Sequence, residues 1–305
     1  MVHVKYFIGL LIFFFIFRYV YLSISENDLS SIKFNFYMLF FSIILIATGI
    51  LFQHYLWYLI TFYFGVRITT FKSIKIRSYS ELGKYIPGRV VLYGILFTSY
   101  KKFKISQKKI AFCSIIESVS SLTSAIIVAL VALFLVNFEV ELNVKLFSII
   151  FLIFCLIIIY PGILQYLLNI IFKLFKKEII EINISYLKIL FIVFLNTFTW
   201  LIFGLSFYFL INSFTLISFS NYWYLTGTFA ISSFLGFIAI FVPAGLGIRE
   251  GSLILLLGKI IIEPFSGMAS ILSRLLIIIG DVIIILVFYL TDRIFLRYYS
   301  PKSNN

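Results

Sequence analysis

Apolar residues in this chain run in unbroken stretches rather than in alternation. The stretches lie near 6–22, 34–64, 110–136, 146–171, 189–211, 222–243, 246–262 and 265–290. An α-helix rising 1.5 Å per residue needs roughly 20 apolar residues to cross a ~30 Å hydrocarbon core. No water reaches the backbone there, so each stretch must satisfy its own N–H and C=O groups as a helix. A transmembrane β-barrel is excluded, because its strands alternate apolar and polar residues. The expected fold is all-α: a polytopic transmembrane helical bundle of about eight hydrophobic segments, one integral membrane domain over residues 1–305. The run 34–64 exceeds the core thickness and is expected to tilt or to project beyond it. Pro161-Gly162 is expected to kink the fourth run. The run Tyr6–Leu22 follows Lys5 but is long and bulky for a signal core, and no A-x-A site follows it. It is read as the first transmembrane helix rather than a leader.

Composition agrees. Hydrophobic residues make up 62% of the chain and charged residues 12%, about half the ~25% charged content of a soluble domain. The net charge of +13 would suit nucleic acid if it were clustered on a soluble surface. Here the basic residues sit between apolar runs, so membrane orientation explains them, and membrane lipid is the expected partner. The loop 23–33 holds Glu26, Asp28 and Lys33, and the loop 137–145 holds Glu139, Glu141 and Lys145. Both read as external. The stretch 65–109 holds eleven Lys and Arg residues, Arg77 among them, against the single carboxylate Glu81. It reads as cytoplasmic, as do Lys173, Lys176, Lys177 and Lys188 and the tail with Arg293, Arg297 and Lys302. Every loop then agrees with a multi-pass protein of the cell (inner) membrane, both termini cytoplasmic.

Two breaks interrupt the apolar pattern. The first is Tyr85-Ile86-Pro87-Gly88-Arg89, within a region whose two flanks are both basic. Flanks of one kind imply that the chain leaves and re-enters on one side, with Pro87-Gly88 at the tip of a re-entrant hairpin; the alternative is an amphipathic segment lying flat on the membrane. The second is Pro243-Ala244-Gly245-Leu246-Gly247-Ile248-Arg249-Glu250. Its flanking segments are either two full spans or a hairpin dipping in from outside, and loop charge does not separate these. Pro243 follows Pro87 by 156 residues. The same shift carries 34–64 onto the fifth long run and 110–136 onto the last, with the paired spans running in opposite directions. That is the pattern of an inverted repeat.

The motifs Leu82-Gly83-Lys84-Tyr85-Ile86-Pro87-Gly88-Arg89 and Val242-Pro243-Ala244-Gly245-Leu246-Gly247-Ile248-Arg249-Glu250 resemble the two signatures of the lysylphosphatidylglycerol synthase transmembrane region family. These are flippase-like domain proteins, and the family includes the membrane half of MprF. The resemblance covers the chain from about the second span to the last. It implies a multi-spanning bundle that moves lipids between leaflets or serves lipid-linked glycan assembly. In MprF a soluble synthase domain follows; this sequence runs only a few residues past its last apolar run, so aminoacyl transfer is not expected. Ala244 stands where members often have Gly, a conservative departure.

Charged side chains inside a bilayer cost roughly 2.5–3.5 kcal/mol each on insertion scales, so each needs a reason. Glu117 lies in the third long run; Arg274 and Asp281, seven residues apart, share one face of the last. The functional reading is a polar cavity for a lipid head group, formed by Lys84, Tyr85, Pro87, Gly88, Arg89, Glu117, Pro243, Gly245, Gly247, Arg249, Glu250, Arg274 and Asp281. Lys84, Arg89 and Arg249 would supply charge-assisted donors to phosphate. Broken helix ends would add free N–H groups, and Gly88, Gly245 and Gly247 would allow close backbone approach. Glu117, Glu250 and Asp281 would balance those charges or bind a cationic group. In the plainer reading, Arg274 and Asp281 pair across helices and lock the bundle, while Lys84 and Arg89 snorkel to the interface. Taken together, the two motifs favour the cavity.

Ser118, Ser120, Ser121, Thr123 and Ser124 read as small packing residues, and His54 as a polar group satisfied within the bundle. Cys113 and Cys155 fall in separate apolar runs, against a disulfide or a metal site. No G-x-x-x-x-G-K-[ST], H-E-x-x-H or G-x-S-x-G occurs, so neither an enzyme nor a cofactor is expected. Two functions remain, with a membrane enzyme using Glu81 or Glu250 as its acid/base group as a weaker third. One is a translocase for an anionic phospholipid or lipid-linked saccharide. The other is a non-transporting membrane partner that holds a glycosyltransferase or other lipid-modifying enzyme at the bilayer.

Overall fold

A computed structural model describes residues 33–85, 90–136, 142–174, 184–239, 245 and 247–299. The apolar run 6–22, the tip residues Ile86, Pro87, Gly88 and Arg89, and Val242, Pro243, Ala244 and Leu246 lie outside the described residues. Ten α-helices are described: α1 Phe36–Tyr63, α2 Thr70–Glu81, α3 Val90–Lys101, α4 Gln107–Leu135, α5 Leu142–Ile158, α6 Pro161–Leu174, α7 Tyr186–Asn212, α8 Tyr222–Ile238, α9 Ile248–Leu257 and α10 Phe265–Tyr299. No strand occurs among the described residues. The chain is an all-helical protein of membrane character.

Helices α1, α4, α7 and α10 are each long and apolar enough to cross a membrane. At 28 residues, α1 is about 42 Å long and exceeds a ~30 Å core, as the length of its run implied. Helices α5 and α6 meet at Pro161 with a 77° bend and form a fifth crossing if they are taken as one. Proline lacks the N–H that would continue the ladder, which accounts for the break. The runs 222–243 and 246–262 become the shorter helices α8 and α9. At 10 residues, α9 is about 15 Å long, half the thickness of the core.

Local sequence sets the helix starts. The Asn35 side chain accepts from the N–H groups of Tyr37 and Met38 at 3.1 and 3.3 Å. Thr69 and Ser185 accept from Lys72 and Lys188 at the starts of α2 and α7. These bonds satisfy N–H groups that have no partner inside the helix. The outer faces of the long helices expose large apolar side chains, among them Phe40, Phe41, Ile44 and Leu51 on α1 and Phe191, Phe194 and Phe198 on α7. Such exposure suits lipid and not water.

Helix α2 reverses that pattern. It carries Lys72, Lys75, Arg77 and Glu81, yet Ser73, Arg77, Ser78, Ser80 and Glu81 are buried. Ser73 bonds Tyr100 of α3 at 2.8 Å, and Trp57 of α1 donates to the same hydroxyl at 2.8 Å. A 3-10 turn, Leu82–Tyr85, follows α2. A Cβ at Gly83 would collide with the backbone of Leu92 in α3. Helices α2 and α3 therefore pack closely on one another.

Helices α1–α2–α3–α4 and α7–α8–α9–α10 follow the same order of long, short, short and long. Shifted by the 156 residues between Pro87 and Pro243, α3 falls on 246–257, against the observed Ile248–Leu257, and α4 begins at 263, against Phe265. The packing pairs exchange in the same way: α4 with α8 and α10 with α2, α4 with α7 and α10 with α1, α9 with α8 and α3 with α2. Helices α1 and α7 pack on each other at the centre of this exchange, and α5 and α6 stand between the two series in the chain.

Candidate functional site

Helices α1–α4 and α7–α10 enclose a cavity of about 300 Å3. One part of its wall is aromatic, with Trp200, Phe203, Phe229, Phe234 and Phe237. Another part is polar, with Gln53, His54, Arg77, Glu81, Lys84, Glu117, Arg249, Arg274 and Asp281. Ser114, Ser118, Ser121 and Ser233 add hydroxyls.

The charges form two networks. In the first, Arg77 on α2 pairs with Glu81 one turn later and donates from Nε to Glu117 on α4 at 3.0 Å. Lys84 follows on the 3-10 turn. Its Nζ lies 3.2 Å from Glu81 Oε2 and 2.7 Å from Asp281 Oδ2 on α10. Among the described residues this network has three carboxylates and two cations. Its Asp281 side chain is 0% exposed, where an unpaired charge would cost several kcal/mol.

The second network lies at the start of α9. Glu250 is buried, pairs with Arg274 of α10, and accepts from the Gly247 N–H at 2.7 Å. That carboxylate therefore caps α9 as well as neutralising a guanidinium. The preceding backbone requires glycine. Gly245 and Gly247 have φ of 65° and 86°, and a Cβ at Gly245 would meet the carbonyl of Gly236.

Arg249 is held less firmly. Its guanidinium donates to Ser233 and Ser273 at 3.4 Å each and approaches Glu250 at 3.8 Å. These distances sit at the outer edge of hydrogen-bonding range. It also lies 5.1 Å from the centre of the Phe229 ring. Among the described residues the second network thus has two guanidiniums for one carboxylate, and Arg249 is loosely tied.

Of the residues expected from sequence, Lys84, Glu117, Arg249, Arg274 and Asp281 line this one cavity, and Glu250 is buried beside it. Arg274 and Asp281 do share a face, but they reach different networks. Gly245 and Gly247 shape the start of α9, and Tyr85 ends the 3-10 turn. Pro87, Gly88, Arg89 and Pro243 lie outside the described residues. Helix α4 begins at Gln107, before its apolar run, so Glu117 sits nearly three turns inside it.

Sequence reasoning counted Arg77 as loop charge and gave Glu81 no place in the cavity. The signal for both was their i,i+4 spacing among Ser73, Ser78 and Ser80, a pattern of pairing on a buried face. Trp200 had no signal. Its Nε1–H donates to the Ser121 carbonyl and the Ser124 hydroxyl, both at 3.1 Å. Cys113 and Cys155 are both free thiols.

No protein-family model matches this chain, and no curated protein is found to be similar to it.

Proposed function

We propose that this protein moves a lipid with an anionic head group, a phospholipid or a lipid-linked saccharide, between the leaflets of a membrane. The observation that carries this reading is that Lys84, from the first motif, and Arg249, from the second, line one cavity. A lipid phosphate needs donors that are not already saturated, and Arg249, with contacts of 3.4–3.8 Å only, has the capacity. Its planar fork matches a phosphate bidentately. The aromatic wall gives the glycerol and upper acyl region an apolar surface.

The matching helix order supports the same reading. In this proposal the two series are inverted repeats, α2–α3 and α8–α9 are re-entrant hairpins, and the cavity lies where they meet near the midplane, as in many transporters. The run 6–22 adds a further span, and both termini face the cytoplasm. Movement is passive or gradient-driven.

The test is scrambling of labelled anionic phospholipid in proteoliposomes, comparing wild type with Arg249→Ala and Arg89→Ala. Wild type moves the lipid, and both variants lose at least 10-fold in rate while remaining monodisperse and folded. The alternative, a non-transporting partner of a glycosyltransferase or other lipid-modifying enzyme, is favoured by the ion pairing within the first network. It takes precedence if wild type moves neither phospholipid nor polyprenyl-linked saccharide, and a pull-down then identifies the enzyme.

A further inference from the structure

His54 lines the cavity from α1 and is 1% exposed. Its Nδ1 lies 2.9 Å from the Ser78 hydroxyl on α2, and that hydroxyl lies 2.9 Å from the Ile74 carbonyl oxygen. A serine hydroxyl has one proton. If Ser78 donates to Ile74, Nδ1 must carry the ring proton and donate to Ser78. Only that arrangement makes both contacts hydrogen bonds; the other sets two acceptor oxygens against each other at 2.9 Å. The Nδ1–H tautomer leaves the Nε2 lone pair as an acceptor, and Nε2 has no hydrogen-bond partner among the described residues. A buried polar atom without a partner keeps its full desolvation cost. Here it belongs to a side chain on the wall of a cavity.

We infer that His54 Nε2 is a ligand-binding group, and that it accepts a hydrogen bond from a hydroxyl of the lipid head group. The inference rests on the lipid reading above and specifies its substrate class as a hydroxyl-bearing phosphate ester. A hydroxyl is favoured over an ammonium by the charges that act on His54. These are Arg77, Lys84 and Glu81, two cations against one carboxylate. The carboxylates of that network each already face a cation. A neutral donor satisfies Nε2 without adding a third cation beside Arg77 and Lys84.

The test measures binding of short-chain lipids to the detergent-solubilised full chain. Dioctanoyl phosphatidylglycerol is compared with dioctanoyl phosphatidylpropanol, which has the same charge and carbon count but no head-group hydroxyl. One neutral hydrogen bond corresponds to roughly a 2–10-fold preference, so wild type binds phosphatidylglycerol more tightly by about that factor. His54→Phe abolishes the preference. His54→Gln keeps an acceptor and retains part of the preference. Ser78→Ala keeps the ring but releases its tautomer, and reduces the preference without changing the fold. Equal binding of the two lipids by wild type, or a preference that survives His54→Phe, overturns the inference and leaves the lipid reading standing. Failure of both lipids to bind defeats the lipid reading itself. Free glycerol phosphate binding as tightly as phosphatidylglycerol would reassign the site to a soluble ester and overturn the assignment to lipid.

Discussion

Ser42 and Ser206 bond to each other reciprocally. The Ser42 hydroxyl donates to the Ser206 carbonyl at 2.8 Å, and the Ser206 hydroxyl donates to the Ser42 carbonyl at 2.8 Å. Both side chains are fully buried, where α1 crosses α7. A self-complementary contact of this kind is what a two-fold relation between packed elements produces. In lipid, helices gain nothing from excluding water between them. Small residues that let backbones approach, and hydrogen bonds between them, hold the crossing together instead.

The crossing should respond to size more than to lost hydrogen bonding. Ser42→Ala and Ser206→Ala should each cost about 0.6 kcal/mol, the average for such bonds in a membrane protein. Ser42→Leu should cost several times more, because it forces two backbones apart. Reversible unfolding in mixed micelles would check the ratio, which equal losses would contradict.

Three glycines near the second motif should separate cleanly. Gly247→Ala forces φ of 86° on a residue with a Cβ and should destabilise by about 1–2 kcal/mol. Gly245→Ala adds a collision with the Gly236 carbonyl and should be worse. Gly251 lies inside α9 with nothing within 4 Å of a new Cβ, so Gly251→Ala should stabilise by roughly 0.5–1 kcal/mol. Thermal melting of the three variants in one detergent would test the order.

The Lys84–Asp281 pair ties the first motif to α10. Lys84→Met leaves the fully buried Asp281 carboxylate without this partner. It should cost less than the ~3–5 kcal/mol of a fully buried pair, because Lys84 is 28% exposed. Lys84→Met combined with Asp281→Leu should be milder than either change alone, as the apolar pair needs no desolvation. A double-mutant cycle measured by unfolding gives the sign directly.

Membrane orientation is checked by labelling. Lys104, between α3 and α4, and Lys259, after α9, are both exposed. With Cys113 and Cys155 replaced by serine, a cysteine at 104 should react with an impermeant maleimide only after the membrane is opened. A cysteine at 259 should react in intact cells. The reverse pattern would invert the topology derived from loop charge.

The long helices were legible because lipid leaves few choices. A run such as 189–211 has no way to satisfy its backbone except as a helix, and α7 covers it from Tyr186 to Asn212. The break at Pro161 was legible because the pyrrolidine ring has no N–H to give. Arg77 was misplaced because charge counting assumes that a basic residue between apolar runs is in water. It is buried instead, since Glu81 and Glu117 compensate it from one turn away and from another helix. Glu117 is 40 residues distant in the chain, and nothing local reveals such a partner.

Sequence alone determined that the chain is a helical protein of membrane character, where its long helices lie, and that a break falls at Pro161. Those properties follow from length, apolarity and backbone chemistry, all of which act locally. Only the tertiary structure decided which charges meet: Lys84 with Asp281, Arg274 with Glu250, and Arg249 left with long contacts beside an aromatic wall. It also decided that His54 has one ring nitrogen beside Ser78 and the other buried without a hydrogen-bond partner among the described residues. Pairing across a bundle depends on how helices far apart in sequence rotate and cross, and those angles are set by contacts such as Ser42 with Ser206.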